Sequence, residues 1–233
     1  MIEIGVITAP RERPTITESL QSLRAAGFTQ RVNIFAEPGS DQPVGDGWFI
    51  HNHSARKGNF RNWVAALTWC VMQTQNEWVM ICEDDISWSP GACTQLEHDL
   101  RSWKTKRPVG ALSLYCPIRM SKVLEKRYGQ PLVQGWYGIN LGRSTWGAQC
   151  LVFHRTWAES LLNDNGLSAY LKDKRWDKNV DALVADVIAR RGREIMYRIP
   201  CLVDHTFGEA NSSLGYKPDR PELKTKYFDG GPS

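Results

Sequence analysis

Residues 78–85 read Trp-Val-Met-Ile-Cys-Glu-Asp-Asp, a continuous apolar run that leads directly into three acids. An apolar run of this length, without alternation, is typical of a β-strand that is buried on both faces, as in a parallel sheet covered by helices. In open sheets of this kind, ligands bind beyond the carboxyl ends of the strands. The three acids at 83–85 are therefore expected at the ligand-binding edge of a sheet.

Strand and helix patterns alternate on both sides of this run, which predicts an α/β fold with a mostly parallel central sheet flanked by helices. Further strands are predicted at residues 2–8, 32–36, 48–51, 111–115, 149–153 and 195–198. Helices are predicted from Thr15 to Gly27, over 59–75, from Ser89-Pro90 onward, over 156–163, and from Asp177 or Lys178 to Gly192. Thr15 with Glu18 has the pattern of a capping box, and Ser89-Pro90 has that of an N-cap followed by proline.

Residues 117–147 show no clean periodicity and are rich in glycine and tryptophan. They predict a long functional loop region. The end of the chain, beyond residue 198, is rich in proline and predicts an irregular C-terminal tail.

Composition narrows the class of protein. The chain has 233 residues and a formal net charge of +4, and its pI of 8.7 is below the range of a dedicated nucleic-acid-binding domain. The six cysteines form no CxxC pair, which favours reduced thiols in the cytoplasm. Charges inside the first apolar run argue against a signal peptide. We expect no integral membrane association and a cytoplasmic location in a bacterial or virus-infected cell.

The acids at 83–85 concentrate negative charge at the end of a buried strand, so a cation is expected to neutralise them. Carboxylate oxygens are hard ligands that suit Mg²⁺ or Mn²⁺. Alternatively, these acids cap the helix that follows, or lie in a solvated loop.

The chain resembles the nucleotide-sugar-dependent glycosyltransferases of the GT-A fold. The resemblance rests on residues 8–11 (Thr-Ala-Pro-Arg) after the first strand, on 83–85 as a variant of the DxD motif, and on 203–205 with Gly208 and 212–215. It implies a single GT-A (Rossmann-like) domain over 1–233, with a nucleotide-sugar-binding half at 1–115 and an acceptor-binding half at 116–233. It also implies metal-dependent transfer of a sugar, from a UDP-linked donor, to an acceptor hydroxyl.

The resemblance implies that Asp85 coordinates the divalent cation, Mn²⁺ or Mg²⁺, that bridges the donor diphosphate. Glu83 and Asp84 would face the ribose or the sugar. His205 resembles the metal-ligand histidine near the C-terminus of these enzymes, and the alternative is an ordinary core or loop histidine.

Two segments are candidates for the donor pocket. By resemblance, the nucleoside is lined by Thr8, Ala9, Pro10 and Arg11. The turn before the helix at 59–75 carries Arg56, Lys57 and Asn59, and it offers backbone N–H groups and positive charge to a phosphate. The alternative for this turn is a solvated basic loop.

An inverting transferase needs a carboxylate that accepts the proton of the acceptor hydroxyl. Asp181 is the candidate base and Asp177 its competitor, although acids in the first turn of a helix also stabilise it without any catalytic role. An enzyme that retains configuration would need no such base. Four aromatic residues are candidates for the acceptor platform, or alternatively for a minor core: Trp136, Tyr137, Trp146 and Trp176.

The acceptor is left open between a surface-glycan precursor, a protein, a small molecule and a hydroxymethylated base in DNA. The basic stretches 104–107 and 122–127 suggest the DNA acceptor, although such stretches are usually solvated faces. The alternative function is a non-catalytic module that binds a nucleotide or nucleic acid.

Overall fold

The computed structural model of the protein describes residues 1–173, 180–205 and 224–228. The order β3-β2-β1-β4-β8-β6-β9-β7 forms an eight-stranded sheet, and β5 pairs with β10 in a separate two-stranded sheet. The strands are β1 (Ile2–Thr8), β2 (Val32–Ala36), β3 (Trp48–Asn52), β4 (Trp78–Glu83), β5 (Ser87–Trp88), β6 (Val109–Ser113), β7 (Gly135–Ile139), β8 (Cys150–His154), β9 (Glu194–Ile199) and β10 (Val203–Asp204).

Most strands of the large sheet point the same way. The strands β1 to β4 pair in parallel, β8 is antiparallel to both β4 and β6, and β7 is antiparallel to β9. Since β6 and β9 pair in parallel, they run in the direction of β4. Their carboxyl ends therefore share one edge of the sheet with those of β1, β2 and β4.

Helices cover both faces of this sheet, as the alternating sequence pattern predicts. The helices are α1 (Ile16–Ala25), α2 (Asn59–Gln73), α3 (Ala92–Arg101), α4 (Ile118–Tyr128), α5 (Arg155–Leu162), α6 (Asn165–Lys172) and α7 (Val180–Arg190). One hydrophobic core contains buried residues of α2 and α4 to α7, and a second contains those of α1 and α3. The predicted α/β fold with a mostly parallel sheet flanked by helices is confirmed.

Both predicted helix caps are wrong in detail. Thr15 precedes α1 but makes no side-chain capping hydrogen bond, and its hydroxyl is buried without a partner among the described residues. The third helix begins at Ala92 after the left-handed Gly91, because Ser89 closes a turn with its carbonyl accepting from the Ala92 N–H at 3.2 Å.

The predicted loop region at 117–147 is also wrong, since it contains α4 and β7. The strand β7 forms because its backbone pairs with β9 from Gly135 to Ile139, although glycine disfavours a strand on its own. Across the described residues, the helices are too short or too polar for a membrane span.

Candidate functional site

The three acids after β4 meet the loop after β1. The Thr8 hydroxyl donates to Asp84 Oδ2 at 2.5 Å, and Arg11 Nε donates to Asp84 Oδ1 at 3.1 Å. The Arg11 guanidinium also lies 3.0 Å from Asp85 Oδ2, and its side chain is only 7% exposed. Arg11 therefore supplies part of the positive charge that the sequence predicts near these acids, and both oxygens of Asp84 are engaged by the protein.

His205 is held against the same acids from the other end of the chain. Its Nε2 lies 3.0 Å from Asp85 Oδ2. The pairing of β10 with β5 fixes the backbone just before it, and Asp204 Oδ1 accepts hydrogen bonds from the N–H groups of His205 (2.9 Å) and Thr225 (3.0 Å). The short β5–β10 sheet thus positions the imidazole beside Asp85.

Glu83, Asp85 and His205 offer one ligand atom each within 4.8 Å of one another. Asp85 Oδ1 is buried, and no described residue hydrogen-bonds to it. A buried carboxylate oxygen without a partner is costly, and a cation would satisfy it. Carboxylate oxygens suit Mn²⁺ and Mg²⁺, and an imidazole nitrogen is a ligand for transition metals rather than for Mg²⁺, so these residues fit a divalent cation such as Mn²⁺.

The pKa values report crowded negative charge. Burial, reinforced by the carboxylates of Asp85 and Asp181, raises the pKa of Glu83 to about 8. Burial alone would lower the pKa of His205, but the Asp85 carboxylate outweighs it and raises that pKa to about 9. Although burial opposes it, contact with His205 and Arg11 holds the pKa of Asp85 below its usual value. At neutral pH Glu83 and His205 therefore both hold protons, and a cation bound between them would displace these protons.

Asp181, on the first described turn of α7, joins the cluster. Its Oδ1 accepts hydrogen bonds from the N–H groups of Gly147 (2.9 Å) and Ala148 (2.5 Å). Burial raises its pKa, and these two hydrogen bonds partly offset the shift. Such a carboxylate is oriented and is a better proton acceptor than one in water. Asp177, the competing candidate, lies outside the described residues.

The turn before α2 differs from the expectation. The Glu37 carboxylate, directly after β2, accepts hydrogen bonds from the N–H groups of Lys57 (2.8 Å) and Gly58 (3.0 Å). These two backbone groups are therefore not available to a phosphate, contrary to the prediction, because a buried carboxylate of the protein already occupies them. The side chain of Asn59 does reach the acids and donates to Glu83 Oε1 at 3.4 Å, whereas Arg56 is exposed.

The loop segments around β1 and β2 lie together. Thr8 is buried, Ala9 is half-buried and Pro10 is exposed. A side chain at Gly39, in the loop after β2, would come within 3.6 Å of Pro10. The four residues that the resemblance assigns to the nucleoside thus border the acids through Thr8 and Arg11.

Of the described aromatic candidates, only Trp146 has its backbone beside the cluster. It directly precedes Gly147, which binds Asp181, and its carbonyl accepts a hydrogen bond from the Tyr197 hydroxyl at 2.5 Å. The Arg119 guanidinium lies 4.4 Å from the centroid of its ring system.

The two aromatic residues of β7 pack elsewhere. Trp136 contacts Trp103 edge to face at 5.1 Å, and the Tyr137 hydroxyl exchanges hydrogen bonds with the backbone of Val133 at 3.0 Å. In the sheet order, β8, β6 and β9 separate β7 from the acids. The structure therefore does not bring these two residues to the cluster, and Trp176 lies outside the described residues.

Sequence reasoning missed Glu37, Tyr115 and Gln149. Each stands just beyond a strand of the large sheet, at the edge where the acids lie. For Glu37 the signal was available, since an acid that follows a buried apolar run has the same pattern as Glu83. For Tyr115 and Gln149 no local signal existed, because only the order of the strands places them beside the acids.

Comparisons with known proteins add little to this geometry. No protein-family model and no curated protein matches the chain. Among solved structures, it is similar to the mannosyltransferase PcManGT from Pyrobaculum calidifontis, determined with GDP-Man and Mn²⁺, at a TM-score of 0.44 and 15% identity. The likeness covers 72% of this chain and 50% of that one, so the chain spans half the length of this neighbour. At this distance no function is transferred from it.

Proposed function

We propose that the protein is a metal-dependent glycosyltransferase that moves a sugar from a nucleotide sugar to an acceptor hydroxyl. The observation that carries this proposal is the meeting of Glu83, Asp85 and His205 beside Asp181 at the carboxyl edge of a mostly parallel sheet. The resemblance in sequence at residues 8–11, 83–85 and 203–205 supports the same class. The proposed donor is UDP-linked.

In the proposed arrangement each group has its own task. Asp85 and His205 would hold the divalent cation together with Glu83, which the resemblance assigns to the ribose or the sugar and which lies within ligand distance of them. Arg11 fixes Asp85 by an ion pair at 3.0 Å. When bound, the cation neutralises the charge that develops on the departing diphosphate. Thr8 and the loop after it border the nucleoside.

Asp181 is the proposed base of an inverting reaction. It accepts the proton of the acceptor hydroxyl while that oxygen attacks the anomeric carbon, and the nucleoside diphosphate leaves from the opposite face. The Gly147 and Ala148 N–H groups hold one carboxylate oxygen and leave the other for this proton. The acceptor side of the proposed site adjoins Trp146.

The nucleic-acid alternative receives no specific support from the described residues. Arg107 and Arg127, which end the two basic stretches, both pair with Glu194, at 3.3 and 2.9 Å. Because both arginines are paired with an acid, less net positive charge is available there to bind the phosphates of a nucleic acid.

Thermal unfolding with MnCl₂ and a panel of nucleotide sugars (UDP-glucose, UDP-N-acetylglucosamine, GDP-mannose) tests the proposal. A true donor at 100 times its Kd stabilises the folded state by about 2.7 kcal/mol, a rise in Tm on the order of 5–10 °C for a domain of this size. We expect this rise with one nucleotide sugar, only when the metal is present, together with slow release of its nucleoside diphosphate.

The matched variants are Asp85→Asn and Asp164→Asn. Asp164 caps α6 and pairs with Arg191 away from the cluster. Asp164→Asn therefore makes the same chemical change outside the proposed site. We expect Asp85→Asn to lose the metal-dependent rise and Asp164→Asn to keep it. A rise that Asp85→Asn retains, or no rise with any donor, would overturn the proposal.

A further inference from the structure

Several buried polar atoms around the acids have no hydrogen-bond partner. Besides Asp85 Oδ1, the Tyr115 hydroxyl and Gln149 Oε1 are buried and unpaired within the described ranges. Leaving such an atom unpaired costs about 1–3 kcal/mol. The two neutral groups differ from the other unpaired atoms in lying beside the charged cluster, which makes them candidates for contact with a bound ligand.

The strand pairing brings both groups next to the proposed cation ligands. The Glu83 N–H donates to the Gln149 carbonyl at 2.8 Å, and residues that are paired in this way in an antiparallel ladder carry their side chains on the same face. The Leu114 N–H donates to the Cys150 carbonyl at 3.1 Å, so Tyr115 and Gln149 leave β6 and β8 at the same edge.

Tyr115 also borders His205, with ring centroids 6.3 Å apart. Tyr115 is 1% exposed, so packing accounts for the buried ring. Packing does not account for the hydroxyl, because a phenylalanine would fill the same space without burying an unpaired polar group. Burial and the carboxylates of Asp204 and Asp181 keep the pKa of Tyr115 well above its usual value. The phenol therefore stays protonated and can donate.

A single group that both accepts and donates hydrogen bonds would satisfy both atoms, and water or a hydroxyl has this property. A sugar hydroxyl accepts from the Tyr115 phenol and donates to the carboxamide oxygen of Gln149. Phosphate oxygens only accept, so they would leave Gln149 Oε1 unpaired. The chemistry of the two orphaned groups matches the sugar part of a donor rather than its diphosphate.

We propose that Tyr115 and Gln149 bind hydroxyl groups of the transferred sugar and so select the sugar that the donor carries. This inference rests on the proposed function. A site built to hydrogen-bond a substrate hydroxyl discriminates strongly against an analogue that lacks it, because its own polar groups are then left unpaired.

Calorimetric titration in MnCl₂ tests this by comparing each nucleotide sugar with its own nucleoside diphosphate (UDP-glucose with UDP, GDP-mannose with GDP). For Tyr115→Phe we expect a Kd for the diphosphate within twofold of wild type, and at least tenfold weaker binding of the nucleotide sugar. A deoxy-sugar donor that lacks the contacted hydroxyl should bind the variant and the wild type equally. The unliganded variant should melt no lower than wild type, since only an unpaired hydroxyl is removed.

Tyr128→Phe is the matched control, because the Tyr128 hydroxyl is bonded to Arg107 and to the Gly138 backbone. We expect it to lower Tm without changing sugar affinity. Gln149→Met provides a second variant with the expected loss.

The outcomes separate the two proposals. If the wild type binds a nucleotide sugar with metal and both variants bind it equally well, or lose sugar and diphosphate affinity alike, this inference is wrong and the proposed function stands. If the wild type binds no nucleotide sugar, both fail.

Discussion

Asp181 differs from Asp84 and Asp85 in how its carboxylate is held. Backbone N–H groups of Gly147 and Ala148 bind it, rather than a cationic side chain. Its charge is therefore oriented but not neutralised by an ion pair, as a proton acceptor requires. We expect Asp181→Asn to lower kcat by about 10²–10⁴-fold while the Kd of the donor changes little, measured by product formation and by calorimetry.

Asp186, further along α7, is the control for this substitution, because it pairs with Arg143 and Arg190 on the surface. Asp186→Asn should leave kcat within a fewfold of wild type. Full activity of Asp181→Asn would remove Asp181 as the base and favour a reaction that retains configuration.

At the scale of the element, the turn before β8 sets the position of Asp181, the proposed base. Gly147 has φ +114°, and a Cβ there would lie 2.9 Å from the Tyr115 carbonyl oxygen. Gly147→Ala therefore combines a disfavoured conformation with a clash, and overpacking of this kind costs about 1–3 kcal/mol. We expect a lower Tm and a fall in kcat that exceeds the change in donor affinity.

Gly129→Ala, at the end of α4, is the matched control. Gly129 also has a positive φ (+69°), but a Cβ added there would meet nothing within 4 Å. The substitution should lower Tm without affecting kcat. If kcat falls equally in both variants, the fall in Gly147→Ala comes from the disfavoured backbone conformation and not from a disturbed contact with Asp181.

The elements that the sequence predicts well are those whose burial is extensive, either continuous as in β4 or periodic as in α2. The helix α4 was missed because only Met120, Ser121 and Leu124 are buried among its many charged residues, so its apolar face is narrow. The candidate site follows the same rule. Asp85 directly follows the apolar strand β4, so the local sequence predicts its position. The contact of Glu37 with Lys57 joins two segments that are far apart in sequence, and no local pattern predicts it.

For the whole molecule, burial predicts the behaviour of the thiols. All six cysteines are free, and only Cys93 is partly exposed. Burial raises the pKa of Cys201 to about 12, so such thiols are unreactive. We expect a thiol reagent to titrate Cys93 alone within minutes in the native protein, and all six after denaturation. Rapid reaction in a Cys93→Ser variant would contradict this burial pattern.

The strand order has a consequence for the two proposed halves. The strand β8, from the second half, lies between β4 and β6, both from the first. A fragment that ends at residue 115 would lack the strand that joins them and would expose two unpaired edges, which favour aggregation. The halves are thus interleaved rather than joined end to end. Neither is expected to fold as an independent unit, and exchanging one of them for the corresponding part of another protein would mean rebuilding the middle of the sheet.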